Sequence, residues 1–153
     1  MRNIALFVLF SLFCFGLKAQ TGEKVIPFAD PFILYEDGTY YLYGTGSDSG
    51  IPVIVSKDLK TWEWPDGKDM HLALHKDDSY GGKWFWAPEV YRLNGKYIMY
   101  YSANEHLYAA TADSPTGPFK QVGTYQMNNL LGDEKCIDSS VFFDDDGTAY
   151  LFF

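Results

Sequence analysis

The sequence predicts an all-β fold of the propeller kind, and three observations carry that reading. One short pattern occurs three times: an apolar run, an Asp-Gly or Asn-Gly turn, and a second apolar run rich in aromatic residues. The turn glycines Gly38, Gly95 and Gly147 recur at spacings of 57 and 52 residues. Beyond residue 17 no apolar periodicity of 3.6 residues persists, so no long helix competes with the strands.

The first repeat covers residues 30–43 (DPFILYEDGTYYLY), the second 87–100 (APEVYRLNGKYIMY) and the third 138–151 (DSSVFFDDDGTAYL). Asp and Asn before glycine tolerate positive φ, which two-residue hairpin loops require, so each repeat is expected to be a β-hairpin. The connecting stretches share a plan too. Residues 51–62 (IPVIVSKDLKTW) read as a strand, a turn and an aromatic, and residues 107–119 follow suit. Each repeat therefore offers a hairpin plus a third and a fourth strand. Four-stranded units at this period stack radially as propeller blades, each sheet burying its faces on its neighbours. A sandwich is the structural alternative.

Before the first repeat stands a processing signal. Arg2 precedes a nearly unbroken apolar run over residues 4–17, followed by Lys18-Ala19-Gln20. That length suits the core of an export signal and is too short to span a bilayer. Residues 1–19 are expected to be a signal peptide cleaved after Ala19, which makes the product secreted or periplasmic. Phe13 before Cys14 disfavours lipidation. Removal of the signal leaves Cys136 as the one cysteine, expected to be buried and structural, so the fold holds by burial alone.

Composition narrows the partners. Aromatics make up 18% of the chain, which suits pleated sheets and surfaces that stack on sugar faces. The net charge is −8, with 12 basic against 20 acidic residues and no basic cluster, so a nucleic-acid partner is excluded.

Several motifs fail on inspection. The glycine-rich stretch 44–50 lacks the Lys-Ser/Thr ending of a phosphate loop, and Asp48 stands where a nucleophile elbow carries serine. Asp144-Asp145-Asp146-Gly147 lacks the flanking acids of a calcium loop and reads as a solvated turn. His71 and His75 have metal-like spacing, but Leu72 replaces the glutamate of a zinc-protease helix. No metal and no cofactor is expected from these residues; the complete domain leaves room for a structural calcium.

The constellation that holds is Asp30 with Asp138, matched positions at the start of repeats one and three, where repeat two carries Ala87. In a propeller the first strands line the central channel, so equivalent starts converge at one mouth. Converging carboxylates are costly unless chemistry uses them. Around them Trp86, Phe32, Glu89 and His106 are the candidate substrate contacts. Of Trp84-Phe85-Trp86, one indole is expected as a sugar platform while alternate positions pack between blades. Glu89 reads as structural or as a subsite contact.

Taken in order, Asp30-Pro31, Trp86-Ala87-Pro88, residues 114–119 (SPTGPF), Ile137-Asp138 and residues 143–148 (FDDDGT) resemble glycoside hydrolase family 43. The resemblance covers residues 26–153. It implies a five-bladed propeller, here truncated to about two and a half blades, with residues 20–153 forming the N-terminal part of the catalytic domain. It also implies cleavage of arabinose- or xylose-containing glycans with inversion at the anomeric carbon. By that resemblance Asp30 is the general base, and Asp138 is the acid that orients the general acid and raises its pKa. The general acid itself is a Glu on a later blade. An inverting base and acid stand roughly 6.5–9.5 Å apart. Ser139 departs from the pattern, since many relatives carry Pro there. A non-catalytic carbohydrate-binding propeller and a structural repeat protein are the rivals, and neither needs two converging aspartates.

Overall fold

A computed structural model describes residues 26–67, 69–123 and 134–153; the signal expected over residues 1–19 lies outside them. Strands β1 (Ala29–Glu36), β2 (Thr39–Thr45), β3 (Gly50–Ser56) and β4 (Leu72–His75) form one antiparallel sheet in that order. After a single 3₁₀ turn at Lys76–Asp78, β5 (Trp86–Leu93), β6 (Lys96–Ala103), β7 (His106–Ala112) and β8 (Lys120–Gln121) form a second. A third hairpin pairs β9 (Ser140–Phe143) with β10 (Ala149–Phe152). The described chain is thus two four-stranded blades and the first hairpin of another, as the repeat predicts.

The hairpins follow from their turn residues. Asp37-Gly38 and Asn94-Gly95 both take positive φ at each position, which matches the right-handed twist of the flanking strands. The third hairpin differs from the two-residue loop expected of it. Gly147 N–H donates to Asp144 C=O at 2.9 Å and Asp144 N–H to Thr148 C=O at 2.9 Å, closing a loop of three residues. Only Gly147 needs the left-handed region there, so the acids before it keep ordinary backbone. They also cap the turn: Asp146 Oδ1 accepts from Thr148 N–H at 2.8 Å.

The two blades share one core. Tyr43, Ile51, Val53, Ala73 and Leu74 from the first pack with Phe85, Val90, Met99, Tyr101 and Phe119 from the second, all at 0–1% exposure. Burying each of the larger aliphatic side chains and Phe rings among them contributes about 1.5–3 kcal/mol, so this seam is what joins the blades. Backbone and hydroxyl groups reinforce it. Phe119 N–H donates to Ala73 C=O at 2.7 Å, and the Tyr43 hydroxyl donates to Pro115 C=O at 2.5 Å. At the far end of β1 the Tyr97 hydroxyl donates to Glu36 Oε2 at 2.6 Å, while Arg92 pairs with Glu36 Oε1. Burial, with that hydrogen bond second, raises the Tyr97 hydroxyl to about 12.

The glycine-rich stretch has a packing role instead of a phosphate-binding one. A Cβ on Gly44 or Gly46 would come within 2.6 or 2.7 Å of the Phe28 side chain, so glycine at both positions lets Phe28 pack closely against the chain. Cys136 is half-buried, unlike the buried thiol expected; it lies on the loop before β9, outside any sheet.

Candidate active site

The first strand of each blade carries an irregularity at the matched position. In β1 the pairing with β2 slips between Ala29 and Phe32, and in β5 the pairing with β6 slips between Trp86 and Glu89. Inside these bulges Asp30 has φ 47° and Ala87 has φ 40°; Asp138, two residues before β9, has φ 58°. A bulge re-aims the side chain it carries, and bulges gather beside active sites. Aspartate tolerates this left-handed backbone better than most residues, whereas alanine is strained in it.

The consequence is convergence. Asp30, Pro31 and Phe32 from the first repeat, Ala87, Pro88 and Glu89 from the second, and Asp138, Ser139 and Ser140 from the third line one open depression of about 310 Å³. Matched tripeptides of three repeats thus form its wall. Asp30 and Asp138 are both exposed, while Ser139 is 4% exposed and its hydroxyl has no protein partner.

The other candidate residues divide. Phe32 lies in the depression with its ring 5.5 Å from that of Tyr91. Trp86 and His106 are not among the lining residues. The Trp86 indole lies nearly parallel to Trp84, with centroids 5.9 Å apart and planes at 12°, and the Lys83 ammonium sits 3.7 Å above Trp84. Phe85 between them is 1% exposed and belongs to the core. His106 opens β7, where its Nδ1 lies 2.8 Å from Asn104 C=O.

Glu89 joins two blades. Its Oε2 accepts from the Tyr91 hydroxyl at 2.6 Å and from Val141 N–H of β9 at 3.1 Å. Burial raises the Tyr91 hydroxyl above its ordinary range, and the bond to Glu89 raises it further. Replacing Glu89 by Ala strands the Val141 amide and is expected to cost about 1–3 kcal/mol in urea unfolding. Gln keeps an acceptor oxygen, so Glu89→Gln is expected to hold both stability and turnover. Loss of turnover in Glu89→Gln would make this residue the acid of the reaction.

Among the described residues no three of His, Cys, Asp and Glu come together to hold a metal ion. His71 Nε2 lies 2.9 Å from Thr116 C=O, and His75 Nδ1 accepts from Asp77 N–H at 3.2 Å.

A family profile described as glycosyl hydrolases family 43 matches residues 25–153. The chain belongs to that family. Its curated relatives include the extracellular exo-α-(1→5)-L-arabinofuranosidase of Cellvibrio japonicus, at 26% identity over 94% of this family 43 chain and 44% of that protein. Among solved structures, an endo-1,4-β-xylanase from Bacteroides thetaiotaomicron is 42% identical, with a TM-score of 0.70 over 82% of this chain and 42% of that one. An α-L-arabinofuranosidase from Clostridium thermocellum is 29% identical, with a TM-score of 0.65 over 82% of this chain and 46% of its own. The family 43 segment described here therefore spans less than half the length of these relatives.

Sequence reasoning missed two residues at this site. Thr45 closes β2 and Ser102 lies near the end of β6, and each faces the residue that precedes a bulge: Ala29 opposite Thr45, Trp86 opposite Ser102. Thr45 Oγ1 donates to Asp30 Oδ2 at 2.9 Å, and Ser102 Oγ accepts from Asp138 N–H at 3.0 Å.

Proposed function

We propose that the complete protein is an exported glycoside hydrolase that removes or cleaves arabinose- or xylose-containing units of plant glycans with inversion at the anomeric carbon. The observation that carries this reading is the convergence of Asp30 and Asp138, from matched positions of two repeats, on one depression. The sugars named for family 43 relatives support the substrate class.

In this mechanism Asp30 takes a proton from water as the water attacks the anomeric carbon. The general acid, a Glu on a later blade, gives its proton to the leaving oxygen, and Asp138 orients that acid. Base and acid on opposite faces of the sugar ring leave room for the water between them.

The test pairs two proteins, residues 21–153 and a form extended to the length of the relatives, on aryl arabinofuranosides and xylosides. The extended form is expected to turn over and to release sugar of inverted configuration, followed by proton NMR as hydrolysis proceeds. The short form, without the general acid, is expected to show no turnover. Saturable sugar binding by the extended form without hydrolysis would support a carbohydrate-binding propeller instead.

A further inference from the structure

The Thr45 hydroxyl touches two blades at once. It donates to Asp30 Oδ2 of its own blade at 2.9 Å and accepts the N–H of Ala87, in the next blade's bulge, at 3.0 Å. A threonine hydroxyl has one proton to give and can accept while giving it. An amide donating to the oxygen polarises the hydroxyl and strengthens its bond to a carboxylate. Half the arrangement repeats one blade on. Ser102, fully buried at the matched register of β6, accepts the N–H of Asp138, the residue matched to Ala87 in the third repeat. The contact is thus a recurring device of the fold, with a hydroxyl on the second strand of one blade holding the left-handed residue of the next.

We propose that Thr45 is a positioning residue, which fixes the rotamer of Asp30 against the neighbouring blade so that the other carboxylate oxygen, Oδ1, is the one offered to water. The inference rests on the reading of Asp30 as the general base. Asp30 sits exposed on a bulge, and among the described residues the Thr45 hydroxyl is what its carboxylate bonds. Held on one oxygen, it presents a single lone-pair direction. The Ala87 amide makes that direction depend on how the two blades dock, which also accounts for keeping a strained φ of 40° at an alanine.

The experiment uses the extended, active protein with Thr45→Val, Thr45→Ser, Thr45→Cys, Asp30→Asn and the double variant Asp30→Asn/Thr45→Val. Valine matches the shape of threonine without the hydroxyl. It is expected to lower kcat by about 10- to 100-fold, the scale of a misplaced reacting group, with KM changed by less than about threefold. Serine restores the hydroxyl and is expected to recover most of kcat, whereas cysteine, a weak donor of similar size, is expected to fall well below serine. In the Asp30→Asn background the valine change is expected to add nothing, because the side chain that Thr45 holds can no longer take a proton from water. Wild-type kcat in Thr45→Val, equal activity of the serine and cysteine variants, or an undiminished valine effect in the Asp30→Asn background each overturns the proposal. Should Thr45→Val fail to fold, the serine–cysteine comparison decides alone. Failure of the underlying reading looks different, since Asp30→Asn would then itself keep its turnover.

Discussion

Asp30→Asn in the extended protein is expected to lower kcat by about 10²–10⁴-fold, the usual contribution of a positioned base. The amide oxygen still accepts the Thr45 hydroxyl, so geometry survives, but no atom of the new side chain takes a proton from water. Asparagine is chosen over alanine because Asp30 has φ 47°, a conformation that asparagine adopts with little cost. The position is exposed, so the unfolding free energy is expected to move by no more than about 0.5 kcal/mol. KM should change little if the carboxylate acts in the transition state more than in binding. A variant that kept more than about a tenth of wild-type kcat would remove Asp30 from the role of base, since even the weakest such contribution is larger.

Gly50→Ala is expected to have the largest effect on stability. Gly50 opens β3 with φ 144°, pairs with His75 of β4, and is buried. A Cβ there would stand 1.9 Å from the Leu74 carbonyl oxygen, 3.0 Å from the Leu74 carbonyl carbon and 3.1 Å from His75 Cα. All three are backbone atoms, so no side chain can swing aside and β4 itself must move. Leu74 and Ala73 on that strand are fully buried in the seam between the blades, and Phe119 bonds to the Ala73 carbonyl. The expected loss is about 3–5 kcal/mol, the upper range for one substitution, against a total stability of roughly 5–15 kcal/mol for a domain. Urea unfolding measures it, with Gly38→Ala as the comparison. Gly38 also has positive φ, at 73°, but nothing lies within 4 Å of its Cβ, so strain alone acts there, at about 1 kcal/mol. A similar loss at both positions would mean that β4 yields easily.

The blades were legible because their turns are written in residue types with distinct backbone preferences. Asp37-Gly38 and Asn94-Gly95 name their turn in the sequence. Asn104-Glu105, between β6 and β7, makes an equivalent turn with φ of 50° and 64°, and no preference of glutamate announces it. There the strong pairing of β6 with β7 sets the backbone and the side chain follows. β4 and β8 are legible only as a fourth strand of each unit, because they run for just four and two residues. At the site, Asp30 and Asp138 could be found by superposing the repeats. Thr45 and Ser102 could not. A hydroxyl on a strand is ordinary, and its meaning appears only once a bulge slips the register and the next blade brings an amide to it. Glu89 was readable as acidic, but its bonds to Tyr91 and Val141 depend on the approach of β9.

The shared left-handed backbone at Asp30, Ala87 and Asp138 has a bearing on symmetry. Three successive repeats place a left-handed residue at matched positions around one depression, which gives three comparable mounts. The methyl group of Ala87 makes one of them unlike the other two. It leaves one of three equivalent mounts without charge or bulk, so polarity and free space both run unevenly around the opening. The inequality of the three mounts therefore comes from a vacancy in a repeating pattern, where a side chain one carbon long stands between two carboxylates.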